Sequence, residues 1–123
     1  MKLCSKLFIL LISISIFSCK GQTSKNVITL EPKTFSEKII ATPNAQIIDV
    51  RTPQEFTGSH LDNALNIDWF SDTFEANVQK LDKTKPVFVY CKTNNRSIEA
   101  AEKLEEFGFK TIYNMSGGLL KWD

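Results

Sequence analysis

The stretch Pro86-Val87-Phe88-Val89-Tyr90-Cys91-Lys92-Thr93-Asn94-Asn95-Arg96-Ser97 decides how the chain folds. Residues 86–90 form a continuous apolar run, the pattern of a strand buried on both faces of a parallel sheet. A short polar loop follows. From Ser97, the residues Ile98, Ala101, Leu104 and Phe107 recur at helical spacing until Gly108 supplies the stop. Cys91 therefore falls at the end of a buried strand and just before a helix. In an open parallel sheet, sites form at the carboxyl ends of strands.

Outward from this unit the same alternation continues. Residues 27–30 and 46–50 are β-branched strand candidates, and residues 35–40 between them read as a short amphipathic helix. Thr52-Pro53-Gln54-Glu55 has the capping-box pattern with proline at the first helical position. Residues 64–67 suggest a weak strand, 74–81 a helix and 111–113 a last strand. Gly117 to Trp122 forms a closing turn or helix. Strands separated by helices predict an α/β fold, a central parallel sheet with helices on both faces. No internal repeat is present.

The chain has 123 residues, 42% hydrophobic and 24% charged, with a formal net charge of +1. Its length suits one domain, and the near-neutral charge argues against a nucleic-acid surface. The N-terminus reads separately. Lys2 and Lys6 precede a run of about eleven mostly apolar residues, too short to span roughly 30 Å of hydrocarbon as a helix. Ser18-Cys19 follows. These are the regions of a secretory signal, and Ile16-Phe17-Ser18-Cys19 resembles a bacterial lipobox. The predicted organisation is a signal peptide over 1–18, a lipid-anchored polar tether over 19–26 beginning at lipidated Cys19, and a folded domain over 27–123. The protein is then exported and anchored to a membrane, in the bacterial periplasm or cell envelope. Removal of Lys2 and Lys6 leaves 13 basic against 14 acidic residues, net −1.

Of three cysteines, Cys4 leaves with the signal and Cys19 is blocked by lipid, so Cys91 alone remains as a free thiol. A disulfide framework and a two-cysteine redox motif are both excluded. A lone thiol is either inert and buried or kept for its chemistry. Here the loop 92–96 leads into a helix N-terminus and can turn its N–H groups into an anion cradle. A thiolate placed there also gains from the helix dipole and from Arg96 and Lys92.

The strand–Cys–loop–Arg–helix unit resembles the active-site loop of the rhodanese family, which often reads Cys-x-x-Gly-x-Arg-Ser. Residues 48–56, Ile-Asp-Val-Arg-Thr-Pro-Gln-Glu-Phe, are similar to that family's Asp-Val-Arg segment. Residues 58–67 are similar to its Gly-His-Ile-Pro-Gly-Ala-Ile-Asn-Ile segment, and residues 117–122 to its closing Gly-Gly-x-x-x-Trp. The four segments stand in the family's order and cover about residues 27–123. Asn94 and Asn63 replace common glycines of that pattern, and asparagine is the residue after glycine that best tolerates positive φ. Ser59 is inserted between Gly58 and His60.

The resemblance implies a rhodanese-like fold and sulfur transfer. Cys91 would be the catalytic nucleophile, and Arg96, Lys92, Thr93, Asn94 and Asn95 would bind the donor. Donor and acceptor would be a small sulfur compound such as thiosulfate and a thiol or cyanide. Neither metal nor organic cofactor is implied. Asp49 and Arg51 would be structural, His60 a packing and hydrogen-bonding residue, and Trp122 core. Two rivals stand beside this. A cysteine phosphatase uses a similar cradle but places its arginine six residues after the cysteine, where this chain has Ser97. A rhodanese module without turnover could instead sense sulfur or oxidants or bind a partner.

Overall fold

The computed structural model describes residues 24–122. The expected signal segment, Cys4 and the lipidation residue Cys19 lie outside the described residues. The elements run β1 (Val27–Leu30), α1 (Pro32–Ala41), β2 (Gln46–Asp49), α2 (Pro53–Gly58), β3 (Leu65–Asn66), α3 (Phe74–Val78), β4 (Val87–Tyr90), α4 (Asn95–Glu106) and β5 (Ile112–Met115), then a 3-10 turn over Leu119–Lys121. Asn26, counted with the tether in the sequence, is bound to the body. Its N–H donates to Glu105 Oε2 at 2.8 Å and its carbonyl accepts from Ile112 N.

Five strands form one sheet in the order β1-β5-β4-β2-β3, and every pairing is parallel. β4 lies at the centre, and all four of its residues are buried. Alternation along it separates two cores, as strand geometry requires. Val87, Val89 and Cys91 pack with Phe74 and Val78 of α3 and Ala100, Ala101 and Leu104 of α4. Phe88 and Tyr90 pack on the other side with Phe35 of α1, Leu61 and Met115. Phe35 and Phe88 meet edge to face at 5.5 Å, a favoured aromatic geometry. Helices therefore cover both faces, as the buried apolar run of β4 predicts.

The differences from the sequence expectation are local. α4 begins at Asn95 rather than Ser97, so Asn95 and Arg96 belong to its first turn. Its buried stripe is Ser97, Ala100, Ala101 and Leu104, with Ile98 and Phe107 only partly covered. Small residues at three of those positions leave room for the helix to sit close on the sheet, which places the larger side chains at its flanks. α3 stops at Val78, and Leu81 packs on the core from the following turn.

Candidate active site

The site grows from the end of β4. Cys91 is fully buried. The closing segment holds the start of the loop through its backbone, with Leu119 N–H donating to Cys91 O at 2.9 Å and Leu120 N–H to Lys92 O at 3.1 Å. Gly118, at φ 62°, lies directly against the loop. A Cβ there would stand 2.5 Å from the carbonyl of Lys92 and from Thr93 N. Only glycine permits that approach.

The sulfur faces Ser97. Cys91 Sγ–H donates to Ser97 Oγ at 3.4 Å, and the Ser97 hydroxyl donates to Asn94 O at 3.1 Å. If the thiol ionises, the same hydroxyl can turn and donate to sulfur, because a hydroxyl both donates and accepts. The N–H groups from Lys92 through Ser97 have no protein acceptor among the described residues. Those of Asn95, Arg96 and Ser97 open α4, where the helix dipole favours an anion. A sulfur anion or donor oxyanion is what such groups can bind.

Asn94 adopts φ 149°, ψ −23°, the positive φ expected where the family loop has glycine. A sparsely populated backbone region of this kind costs about 1–3 kcal/mol and persists where its surroundings hold it. Asn94 stands at the N-cap of α4 yet makes no capping bond with its side chain. Its Oδ1 instead accepts from Asn114 Nδ2 at 2.8 Å, from the neighbouring strand β5.

Arg96 has a partner within the protein that the sequence did not show. Its guanidinium, read from sequence as a donor contact, grips Glu55 of α2 with both ends, at 2.7 and 3.1 Å, and lies over the exposed ring of Phe70. Glu55 is the third helical residue of the capping box. The same carboxylate accepts from Thr52 N–H and Thr52 Oγ1, which fixes it in place. The hydrogen bond from Arg96 leads in holding the Glu55 carboxyl down at about 2, helped by Thr52 against the effect of burial. Glu55 in turn raises the pKa of Arg96. A planar fork on a carboxylate is a strong pairing, but it uses two of the five guanidinium N–H groups, so the others can meet a donor oxyanion while Glu55 holds Arg96 in place.

Lys92, Thr93 and Asn95 are exposed around the loop, and Asn94 is half-buried. A cavity of about 360 Å³ beside the loop is lined by Lys92, Leu119, Leu120, Arg51, Glu55 and Ser59. Cys91 is covered, so reagents reach its sulfur only when neighbouring groups move. Arg51 and His60 take the structural parts read for them, and Trp122 does not. Arg51 bonds both Asp49 carboxylate oxygens and Ser59 O, tying the end of β2 to the turn after α2. His60 stacks on Phe56 and bonds its carbonyl through Nδ1, on the surface. Trp122 is only partly buried, against the α1 side of the sheet, rather than in the core. Among the described residues no group of three or more His, Cys, Asp or Glu side chains could hold a metal ion.

Sequence reasoning singled out neither Glu55, Asn114 nor Gly118 for the site, and used Ser97 as a helix start and to separate arginine spacings but gave it no role at the sulfur. The capping box announced the place of Glu55 on α2, but its pairing across the loop depends on packing.

Residues 31–123 match the model of the rhodanese-like domain, and the chain belongs to that family. It is 44% identical to the Bacillus subtilis protein YqhL over 78 residues, 63% of this chain and 60% of that protein. The chain therefore spans less than two thirds of that relative. It is 37% identical to the thiosulfate sulfurtransferase GlpE of Coxiella burnetii over 62% of this chain and 69% of that protein. The polysulfide-sulfur transferase of Wolinella succinogenes superposes with a TM-score of 0.65 at 36% identity, covering 79% of this chain and 73% of that one.

Proposed function

We propose that the protein is a sulfurtransferase that carries sulfane sulfur as a persulfide on Cys91. The observation that carries this is that the N–H groups from Lys92 to Ser97, in the loop that follows a cysteine at a strand end, have no protein acceptor among the described residues. The Cys91 thiolate attacks the outer sulfur of a donor such as thiosulfate. The sulfur–sulfur bond of the donor breaks, and sulfite departs with its electron pair. An acceptor thiolate then attacks the outer sulfur of the persulfide and restores the Cys91 thiolate. Fixed donors that meet the charge on sulfur and on the departing oxyanion lower the barrier to both steps. Ser97 supplies the hydroxyl nearest the sulfur.

Mass spectrometry after thiosulfate should show one added sulfur on Cys91. Cys91→Ser is nearly isosteric and should keep the fold while losing the adduct and turnover with cyanide. Persistence of either in that variant would mean another nucleophile. Reaction with peroxide but not thiosulfate would favour an oxidant sensor instead.

We also propose that the mature chain is a membrane-anchored, exported lipoprotein beginning at Cys19. The short apolar run ending in Ser18-Cys19 supports it. Labelled palmitate should enter the wild type and not Cys19→Ala, and equal labelling of both would end the idea.

A further inference from the structure

Among the described residues, the buried side-chain polar atom left without a partner is Asn114 Oδ1. Asn114 lies in β5, is fully buried, and has the aliphatic neighbours Ile112 and Met115 in its strand. An amide in such a place costs stability unless its groups are bonded. Its nitrogen does have partners, Asn94 Oδ1 at 2.8 Å and Thr29 Oγ1 at 3.4 Å. The stronger of these bonds reaches out of the sheet to the Cys91 loop.

That bond changes what Asn94 does. Asparagine at an N-cap ordinarily turns its side-chain oxygen back to accept from the second or third N–H of its helix. Here those are the N–H groups of Arg96 and Ser97. The Asn94 oxygen is held by Asn114 instead, and α4 has no side-chain cap. An Asn94 carboxamide turned back to the usual cap would occupy those N–H groups. From Asn94 the contacts continue to the nucleophile, since its carbonyl accepts from Ser97 Oγ and Ser97 faces the sulfur.

We infer that Asn114 is a positioning residue that holds the Asn94 carboxamide off the N-terminus of α4, keeping the Arg96 and Ser97 N–H groups open to the sulfur donor. This rests on sulfur transfer at Cys91. Asn114 touches neither donor nor sulfur and acts through Asn94. Where this loop carries glycine at position 94 there is no carboxamide to restrain, and Asn114 has nothing to hold.

The test is a double-mutant cycle on the full chain, using Asn114→Leu, which keeps volume without polarity, and Asn94→Gly. Asn114→Leu should slow Cys91 sulfur loading from thiosulfate by about tenfold, the loss expected when one hydrogen bond governs the cradle. The same change in the Asn94→Gly background should cost less than about twofold. Amide hydrogen exchange reads the cap without any donor. Exchange at Arg96 and Ser97 should slow by about fivefold in Asn114→Leu, as a new cap bond forms, and be unchanged when Asn94→Gly is also present. A merely structural Asn114 would give equal losses in both backgrounds with exchange at Arg96 and Ser97 no slower, and either result overturns the inference. Should Asn114→Leu fold poorly, Asn114→Ala replaces it in the same cycle. A wild type that takes no sulfur would end the sulfurtransfer proposal, while the exchange data would still decide what Asn114 does.

Discussion

Two turns of this molecule carry asparagine where the family pattern commonly has glycine, and they use it differently. Asn63 sits in the turn Leu61-Asp62-Asn63-Ala64, at φ 64°, closed by Ala64 N–H donating to Leu61 O at 3.1 Å. It occupies the position where some turns need positive φ and accept Gly or Asn. Its side chain is exposed and makes no hydrogen bond among the described residues. Asn94 also has positive φ, but its carboxamide is bonded to a buried residue of another strand. The first substitution is a matter of local backbone tolerance. The second recruits tertiary structure, and its effect reaches the nucleophile. A residue type that looks interchangeable in sequence thus has one role set by φ and another set by a neighbour distant along the chain.

The largest expected effect comes from breaking the other wall of the Asn94 loop. Gly118→Ala puts a methyl group 2.5 Å from Lys92 and Thr93 backbone atoms at an unfavourable φ. Backbone cannot step aside as a side chain can, so the loss should be about 2–4 kcal/mol. Urea unfolding measures it, and Cys91 loading should fall with it. Gly117→Ala is the control. It shares the positive φ, at 71°, and its Cβ would press on Cγ and Cβ of Lys121 rather than on the backbone of the loop, so stability also falls but by less, and loading should persist. Equal losses from both would show that the loop is not held by Gly118.

Next is the direct contest between the asparagines. Asn94→Ala adds backbone strain and removes the partly buried bond from Asn114, for about 2 kcal/mol together. Asn63→Ala adds strain alone, for about 1 kcal/mol, and should leave sulfur loading unchanged. Asn63→Gly should restore or slightly raise stability, since glycine has no steric cost there. Equal responses at the two sites, in both stability and loading, would erase the distinction between them.

The smallest effect concerns the ion pair that spans from α2 to the loop side of α4. Arg96 and Glu55 are mostly covered but not sealed from water, so their pairing should contribute about 1 kcal/mol or less. Glu55 has its pKa depressed in the fold from an ordinary 4.5 to about 2. Its contribution is therefore complete above about 4.5 and is lost as pH falls towards 2. Wild type should lose its advantage over Glu55→Gln through that window. A constant difference between the two down to pH 2 would mean that the pair adds no stability. Nothing comparable is expected at the Asn63 turn, where no ion pair forms among the described residues.

Much of the fold could be read directly because it depends on short-range pattern. The apolar run 86–90 marked a central strand, the capping box at Thr52 predicted a helix start that the structure reproduces, and Gly108 ended α4. Positive φ at Asn94 followed from its standing in for glycine. Helix length was harder. The first turn of α4 carries Asn95 and Arg96, polar residues that look like loop in a one-dimensional pattern. The cysteine and its loop were visible for the same local reason, as they form one uninterrupted strand–loop–helix segment.

By itself, then, the sequence determined the order of elements, the burial of β4, the place of Cys91 at its end and the conformational demand on residue 94. These follow from hydrophobic period, caps and backbone preference, all of which act between near neighbours. Only the tertiary structure decided that Arg96 grips Glu55, that Gly118 presses on Lys92, and that Asn114 reaches Asn94. Each contact joins segments far apart in the chain. It exists because the parallel sheet brings the ends of β2, β4 and β5 to one edge, where side chains with no shared local pattern meet.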